Sequence, residues 1–211
     1  SSSTSQQQTT HAPTPEAPVT ISELHCPPVF RRNASWPATL AGDIAYVECP
    51  NNPRVKAAFW QCGLDPVRWR GKPNVSQCVS QKVGRLQQKM QEVARSYSQL
   101  IVEEVAQDIM IVSDEETFGG DVHELAEVMS AMVETVDKNL EGNPEVETPL
   151  VKKVNEAVMI AGSNVLAERQ AASWQDMAQA DQAQTATRLV SSVEGSAFQV
   201  AKTMNNPETI I

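Results

Sequence analysis

The sequence predicts two unlike parts, a small disulfide-rich β domain followed by an all-α helical bundle. All four cysteines, Cys26, Cys49, Cys62 and Cys78, fall within the first 78 of 211 residues. From Val79 onward, apolar residues recur mostly at spacings of three and four, which is the period of an α-helix. The charge changes at the same place, because seven Lys and Arg accompany five Asp and Glu before Val79, whereas ten accompany twenty-one after it.

Residues 1–22 are almost entirely Ser, Thr, Gln, Pro and Ala. This composition offers little apolar surface to bury, and its prolines favour extended backbone. We therefore predict a Ser/Thr/Pro-rich linker over residues 1–22, either a stiff O-glycosylated stalk or a plainly disordered segment.

Residues 23–78 are predicted to form the disulfide-bonded β domain. The cysteines are separated by 22, 12 and 15 residues, so no C-x-x-C pair is present to hold zinc. Four cysteines allow three disulfide connectivities, and spacing does not choose among them. The glycosylation sequons at Asn33 and Asn74 agree with stable disulfides in placing the chain outside the cell.

Short apolar stretches at Ile44–Val47 and Ala58–Trp60 predict β-strands in this domain. Its tryptophans and arginines are the only cluster with the composition of a binding surface. We interpret Trp36 and Trp69 as core residues, because small disulfide domains bury tryptophan beneath arginine stems. The candidate binding residues are Trp60, Arg31, Arg32, Arg68 and Arg70.

Residues 79–211 are predicted to form at least four helices. The first carries the apolar stripe Val79, Val83, Leu86, Met90, Val93, Tyr97, Leu100 and Ile101 over about six turns. After Phe118-Gly119-Gly120, Asp121 and Glu124 resemble a capping box that opens a second helix, which ends near Gly142-Asn143-Pro144. Thr148-Pro149 is a typical start for a third helix. Ser173 and Asp176 predict a short turn around Trp174, and Asp181 with Gln184 predicts a final capped helix.

No motif for catalysis, metal binding or a cofactor is present. The three histidines are not spaced as metal ligands, and the sequence has no G-x-S-x-G, P-loop, dinucleotide or calcium-loop pattern. The acidic runs Glu103-Glu104 and Asp114-Glu115-Glu116 are typical of solvated helix faces. We therefore predict no enzyme activity, no metal and no cofactor, and the acidic second part argues against nucleic acid as a partner.

A family resemblance rests on the order of these landmarks. The series Cys26, Ser35-Trp36-Pro37, Ala41-Gly42, Cys49-Pro50, Phe59-Trp60-Gln61-Cys62, Trp69 and Cys78 resembles the hormone-receptor domain of adhesion G-protein-coupled receptors. Residues 79–204, with Ala172-Ser173-Trp174-Gln175-Asp176-Met177 and Glu194-Gly195-Ser196-Ala197-Phe198, resemble the helical first subdomain of the GAIN domain that follows it. The match is most similar to the latrophilins, with flamingo-type cadherin receptors second.

The resemblance implies pairing of Cys26 with Cys62 and of Cys49 with Cys78. The extra cysteine of the secretin-type hormone receptors is replaced here by Ser35, which argues against peptide-hormone binding. The family resemblance also implies that the rest of a GAIN domain and receptor is the main partner, with extracellular adhesion proteins as further partners. The chain would then lie on the extracellular side of the plasma membrane and reach the membrane only through a region beyond Ile211.

Two functions follow as expectations. The first is a spacer and docking segment of a latrophilin-like receptor that serves cell adhesion and transmembrane signalling. The alternative is a secreted binding module whose Trp and Arg surface captures a peptide or an acidic glycan. A hydrolase that uses the acidic helix residues has no motif to support it.

Overall fold

The computed structural model describes residues 24–53, 57–139 and 144–204. The predicted linker over residues 1–22 and the predicted break at Gly142-Asn143 lie outside these residues. Within the described part of the chain, no helix is both long and apolar enough to cross a membrane.

The described part of the β domain, residues 24–53 and 57–78, contains three antiparallel pairs of short strands. The strands are β1 (His25–Cys26), β2 (Val29–Arg31), β3 (Ala34–Trp36), β4 (Thr39–Leu40), β5 (Ile44–Val47) and β6 (Ala58–Gln61). β1 pairs with β4, β2 with β3, and β5 with β6. Both strands predicted from the apolar stretches are therefore present, as β5 and β6.

Two disulfides and three indole rings hold this domain together. Cys26 is bonded to Cys62 and Cys49 to Cys78, the pairing implied by the family resemblance. Strands this short bury little apolar surface, so the cross-links and the tryptophans supply most of the core. The second disulfide also ties the end of the β domain, at Cys78, to its middle.

Within residues 79–139 and 144–204, six α-helices follow the β domain, in agreement with the predicted all-α bundle. They are α1 (Gln81–Arg95), α2 (Gln99–Asp114), α3 (Gly119–Asn139), α4 (Pro144–Leu166), α5 (Ala171–Asp176) and α6 (Gln179–Met204). A 3-10 turn at Glu168–Gln170 leads into α5. The helices share one apolar core, to which α2, α3 and α4 contribute mainly valine, leucine, isoleucine, methionine and alanine.

The single first helix predicted over Val79–Ile101 is wrong, because two helices cover this region. The chain leaves helical geometry at Ser96, and Ser98 begins α2 by accepting a hydrogen bond from the Ile101 N–H on its side chain. Serine is a favoured N-cap, and its hydroxyl competes with helix continuation. Tyr97 and Leu100, which the stripe places on the buried face, are 41% and 68% exposed.

Three later boundaries also differ from the predictions. α4 begins at Pro144, the favoured first position for proline, so Pro149 lies inside the helix instead of opening it. α6 begins at Gln179, which places Asp181 in its first turn instead of at its cap. Ser173 lies within α5 and is buried, so it does not initiate a turn.

Two glycines at different places in the bundle give opposite predictions for the same substitution. A Cβ on Gly84, inside α1, would meet nothing within 4 Å, whereas a Cβ on Gly120 would lie 2.5 Å from the Cys78 carbonyl oxygen. Gly84→Ala should therefore stabilise the chain by about 0.5–1 kcal/mol through helix propensity. Gly120→Ala should destabilise it by about 1–3 kcal/mol through overpacking against backbone.

Urea unfolding followed by circular dichroism measures both changes. Equal effects of the two substitutions would contradict the close approach of α3 to Cys78.

Candidate functional site: the joint between the two domains

The β domain and the bundle meet at a joint formed by Phe118–Asp121, by the hairpin tip Arg32–Asn33 and by Asp176. Phe118 belongs to the bundle, yet its ring is 1% exposed and packs in the β-domain core with Trp36, Val75 and Cys78. Full burial of a phenylalanine contributes about 1.5–3 kcal/mol. The two domains therefore share one apolar core at this point.

The hairpin tip between β2 and β3 enters the joint from the β-domain side. Arg32 and Asn33 both have positive φ, 53° and 54°, as a two-residue turn of this kind requires. The left-handed region suits asparagine but strains arginine, so the surrounding contacts must hold Arg32 in place. From this turn, the Asn33 amide donates to Glu116 Oε2 at 2.9 Å.

Arg32 makes two contacts with the bundle. Its guanidinium donates to Asp176 Oδ2 in an ion pair whose side chains are only 18% and 6% exposed. The same guanidinium lies over the Phe118 ring, with Cζ 4.9 Å from the ring centroid. Removal of one member of a buried pair leaves the other charge uncompensated, which is costly. The pair therefore disfavours separation of the domains.

Asp176 lies at the end of α5, and burial raises the pKa of its carboxyl group against the opposing effect of Arg32. Its neighbour Gln175 accepts a hydrogen bond from Lys72 Nζ at 2.6 Å. Lys72 belongs to the β domain, so two consecutive residues of α5, Gln175 and Asp176, both contact that domain. The stretch Ala172–Met177, which carries part of the family resemblance, thus lies at the joint.

Asp121 joins the starts of two helices. Its Oδ1 accepts the Ser80 N–H at 2.6 Å, just before α1, and its Oδ2 accepts the Phe118 N–H at 3.0 Å, just before α3. The predicted capping box therefore begins three residues earlier. Phe118 occupies the N-cap position, and Asp121 is the acidic residue of the first turn whose carboxylate accepts the Phe118 N–H. Burial raises the pKa of Asp121, and the two N–H donors oppose that shift.

The segment before Phe118 is fixed by buried polar side chains from the 3-10 turn and from α5. Gln170 donates to the Glu115 carbonyl at 2.8 Å and accepts from the Thr117 hydroxyl at 2.7 Å. Ser173 donates to the Thr117 carbonyl at 2.6 Å. With these groups satisfied, the chain between α2 and α3 is held in the position that directs Phe118 into the β domain.

The three tryptophans of the β domain lie against one another. Trp60 and Trp69 stack with centroids 4.7 Å apart, and Trp36 meets Trp60 edge-on at 5.6 Å. Trp36 is 1% and Trp60 4% exposed, whereas Trp69 is half-buried. The candidate binding residue Trp60 therefore lies in the core with Trp36, and its indole is not displayed to a partner.

The candidate arginines divide into two groups. Arg32 is engaged in the joint, so it is not part of an open binding surface. Arg31, Arg68 and Arg70 are exposed. Of these, Arg31 lies with its Cζ 6.0 Å from the Trp60 centroid.

The two sequons lie on or near the joint. Asn33 is exposed at the hairpin tip, and Asn74 is half-buried beside β6, where its backbone exchanges two hydrogen bonds with Phe59. The Asn74 side-chain oxygen accepts the Ser76 hydroxyl at 2.8 Å, which brings together the two polar residues of that sequon.

The described residues contain no cluster of three or more His, Cys, Asp or Glu side chains arranged to hold a metal. His123 lies in the first turn of α3, where its Nδ1 is 3.1 Å from the Thr185 hydroxyl of α6. The acidic run at Asp114–Glu116 makes surface contacts with Arg169, Lys82 and Asn33.

The main elements of the joint were not identified from sequence. The sequence predicts a helix break at Phe118-Gly119-Gly120 and a helix start at Asp121, but no contact of these residues with the β domain. A signal was present, since two glycines at a helix start permit close approach of another backbone. A Cβ on Gly119 would lie 3.0 Å from Asp176 Cβ and 3.2 Å from Ser76 Cα.

Replacement of Asp121 by asparagine should destabilise the chain by about 1–3 kcal/mol at pH 7, because the amide group cannot accept both N–H groups. Since the pKa of Asp121 is raised by folding, the wild-type chain gains stability through this group as the pH falls. The deficit of Asp121→Asn should therefore widen as the pH falls from 7 to 5, and it should continue to widen until the pH reaches the ordinary carboxyl pKa of about 4.

Denaturant titrations of both proteins at the two pH values measure this deficit. The control is Asp137→Asn, which removes a half-exposed ion pair with Lys202 and should change stability by less than about 1 kcal/mol. A deficit that narrows at pH 5 would contradict the raised pKa.

Two family models match the two domains described above. Residues 23–81 match the hormone receptor domain, and residues 83–201 match the model described as "GAIN: AGRL2-4 GAIN subdomain A". The second match alone covers more than half of the chain.

Curated relatives agree with these matches. Adhesion G protein-coupled receptor L1 of Bos taurus is 27% identical over 200 residues, covering 88% of this chain and 13% of its own length. The Homo sapiens receptor of the same name is 26% identical with the same coverage. Latrophilin Cirl of Drosophila ananassae is 24% identical over 245 residues, covering 90% of this chain and 14% of its own length.

The chain thus spans about one eighth of the length of these relatives. With a hormone-receptor domain followed by GAIN subdomain A, it belongs to the latrophilin-like adhesion G-protein-coupled receptors.

Proposed function

We propose that this segment is a rigid extracellular spacer of an adhesion receptor, in which the β domain and the helical bundle move as one body. The observation that carries the proposal is the burial of Phe118, a bundle residue, in the β-domain core. A flexible connection between domains has few buried contacts across it, whereas this joint buries an aromatic ring and an ion pair.

The short connection supports the same function. The β domain ends at the disulfide-bonded Cys78, and Ser80 already caps α1. Asn52 of the β domain donates to the Val79 carbonyl at 3.1 Å, so the residue between them is also held. A connection of this length, hydrogen-bonded on both sides, leaves little freedom for rotation of one domain against the other.

Within a receptor, such a rigid body would hold the N-terminal region at a fixed distance from the rest of the GAIN domain. A displacement of its N-terminal end would then be transmitted to the end that faces the membrane. The relatives named adhesion G protein-coupled receptor L1, together with the match to the hormone receptor domain, support a placement on the extracellular side of the plasma membrane. Its partners would be the rest of the GAIN domain and extracellular adhesion proteins. Its contribution to cell adhesion and transmembrane signalling would be geometric, with no catalytic step.

Loss of the Arg32 contact should loosen the joint. Arg32→Ala leaves the Asp176 carboxylate buried without its partner, and we expect a loss of about 3–5 kcal/mol from the docked state. NMR relaxation should give one rotational correlation time for both domains of the wild-type chain and separate, shorter times in the variant. Arg68→Ala removes an exposed arginine of the same domain and serves as the control.

Small-angle scattering of the same proteins should fit one rigid shape for the wild-type and control chains. Independent tumbling of the two domains in the wild-type chain would contradict the spacer function.

The receptor context has a separate test in the transcript beyond the codon for Ile211. We expect a β-rich region with a His-Leu-Thr or His-Leu-Ser triplet, followed by seven apolar spans of about 20 residues. A stop codon directly after Ile211 would instead favour a secreted protein.

A further inference from the structure

Three arginines of the β domain form a basic surface without carboxylate partners, here called the arginine face: Arg31, Arg68 and Arg70. Each is exposed, and none has an Asp or Glu oxygen within ion-pair distance in the described part of the chain. Three other arginines, Arg32, Arg169 and Arg188, each pair with a carboxylate of the same chain. The arginine face therefore retains its full charge for an external anion.

The indole stack brings these arginines together. Arg31 lies over the Trp60 ring, and the Trp60 Nε1 donates to the Arg70 carbonyl at 2.9 Å. Trp60 stacks on Trp69, which lies between Arg68 and Arg70 in sequence. The Trp69 Nε1 donates to the Pro27 carbonyl at 2.9 Å, so a hydrogen bond to backbone holds each of the two stacked rings. Arg31 thus lies at one ring of the stack, and Arg68 and Arg70 line a concavity together with the other ring.

A concavity of about 500 Å³ lies beside this support, lined by Asp65, Pro66, Arg68, Trp69, Arg70 and Gly71. Trp60 stacks on the Trp69 indole and Trp36 lies at an angle to it with centroids 6.4 Å apart, yet Trp69 is only half-buried and lines the concavity. Asp65 also lines the concavity, so one carboxylate is present together with the two arginines. Two arginines and an indole therefore converge on one surface.

The charge distribution of the chain favours an anion at the β domain alone. Residues 23–78 carry seven Lys and Arg against four Asp and Glu, whereas residues 79–211 carry ten against twenty-one. An anionic polymer is attracted to the first part and repelled by the second. The bundle would therefore confine such a ligand to the arginine face.

We propose that the arginine face binds a sulfated glycosaminoglycan, which goes beyond the spacer function and does not depend on it. Planar guanidinium groups match sulfate and carboxylate oxygens through paired N–H donors. A pyranose ring has a flat C–H face that packs on an indole, and Trp69 offers one. An acidic peptide would supply the charge but has no such ring, so the glycan uses both features of the surface.

The test measures the affinity of the whole chain for heparin in solution as a function of salt. One variant carries Arg31→Gln, Arg68→Gln and Arg70→Gln. The control carries Arg85→Gln, Arg95→Gln and Lys152→Gln, which removes the same number of positive charges from exposed positions on the bundle. We expect at least tenfold weaker heparin binding for the first variant and a slope of log affinity against log salt reduced by about two to three.

A third variant replaces the same three arginines by lysine. It retains the charge but loses the paired donors, so its affinity should fall between those of the wild-type chain and the glutamine variant. Thermal unfolding of every variant is compared with the wild-type chain, because exposed substitutions should change stability by no more than about 0.5 kcal/mol.

The proposal is overturned if the control loses as much affinity as the first variant, or if the first variant binds heparin as well as the wild-type chain does. Poly-L-glutamate of matched charge is the competing probe. If it binds as tightly as heparin, the surface recognises charge alone and the glycan assignment fails. The spacer function is unaffected by either result, because its test concerns the joint.

Discussion

The burial of Phe118 inside the β domain is the contact on which the relative placement of all other elements depends. A ring from one domain fills the core of the other only if the backbone around it can approach closely. Gly119 and Gly120 permit that approach, and Asp121 accepts the two N–H groups that would otherwise be left unpaired at the helix starts. The burial of Phe118 thus depends on the hydrogen bonds that Asp121 accepts beside it. Both contacts come from the four consecutive residues Phe118–Asp121.

Two adjacent residues of one hairpin have opposite roles because of backbone conformation. Arg31 ends strand β2 and directs its side chain across the indole stack toward solvent. Arg32 follows in the left-handed region, and this turn directs its guanidinium into the bundle. By composition, Arg31 and Arg32 belong to one basic cluster. In the structure, Arg32 joins the two domains, whereas Arg31 is exposed to solvent.

Local patterns predicted the elements but not the way in which they meet. The cysteine clustering and the change to helical periodicity at Val79 identified both domains, and the family resemblance supplied the disulfide pairing. Periodicity failed at Ser96–Ser98, since apolar spacing continues through a point where serine hydroxyls compete for the backbone. The joint stayed hidden because its contacts are distant in sequence, with Arg32 and Asp176 separated by 144 positions. No local pattern records a contact of that separation.

The positions of the two disulfides bear on what the β domain does under tension. A pull applied at Cys26 and Cys78 passes through the Cys26–Cys62 bond, back along the chain to Cys49, and out through the Cys49–Cys78 bond. The twelve residues between Cys49 and Cys62 are the shortest stretch of backbone on this path, so they limit how far the ends can separate. Even fully unfolded, the domain would extend to about 55 Å, compared with about 180 Å for the same stretch without cross-links. In a receptor that senses force through such a domain, unfolding of the domain would therefore absorb only a small part of an applied displacement.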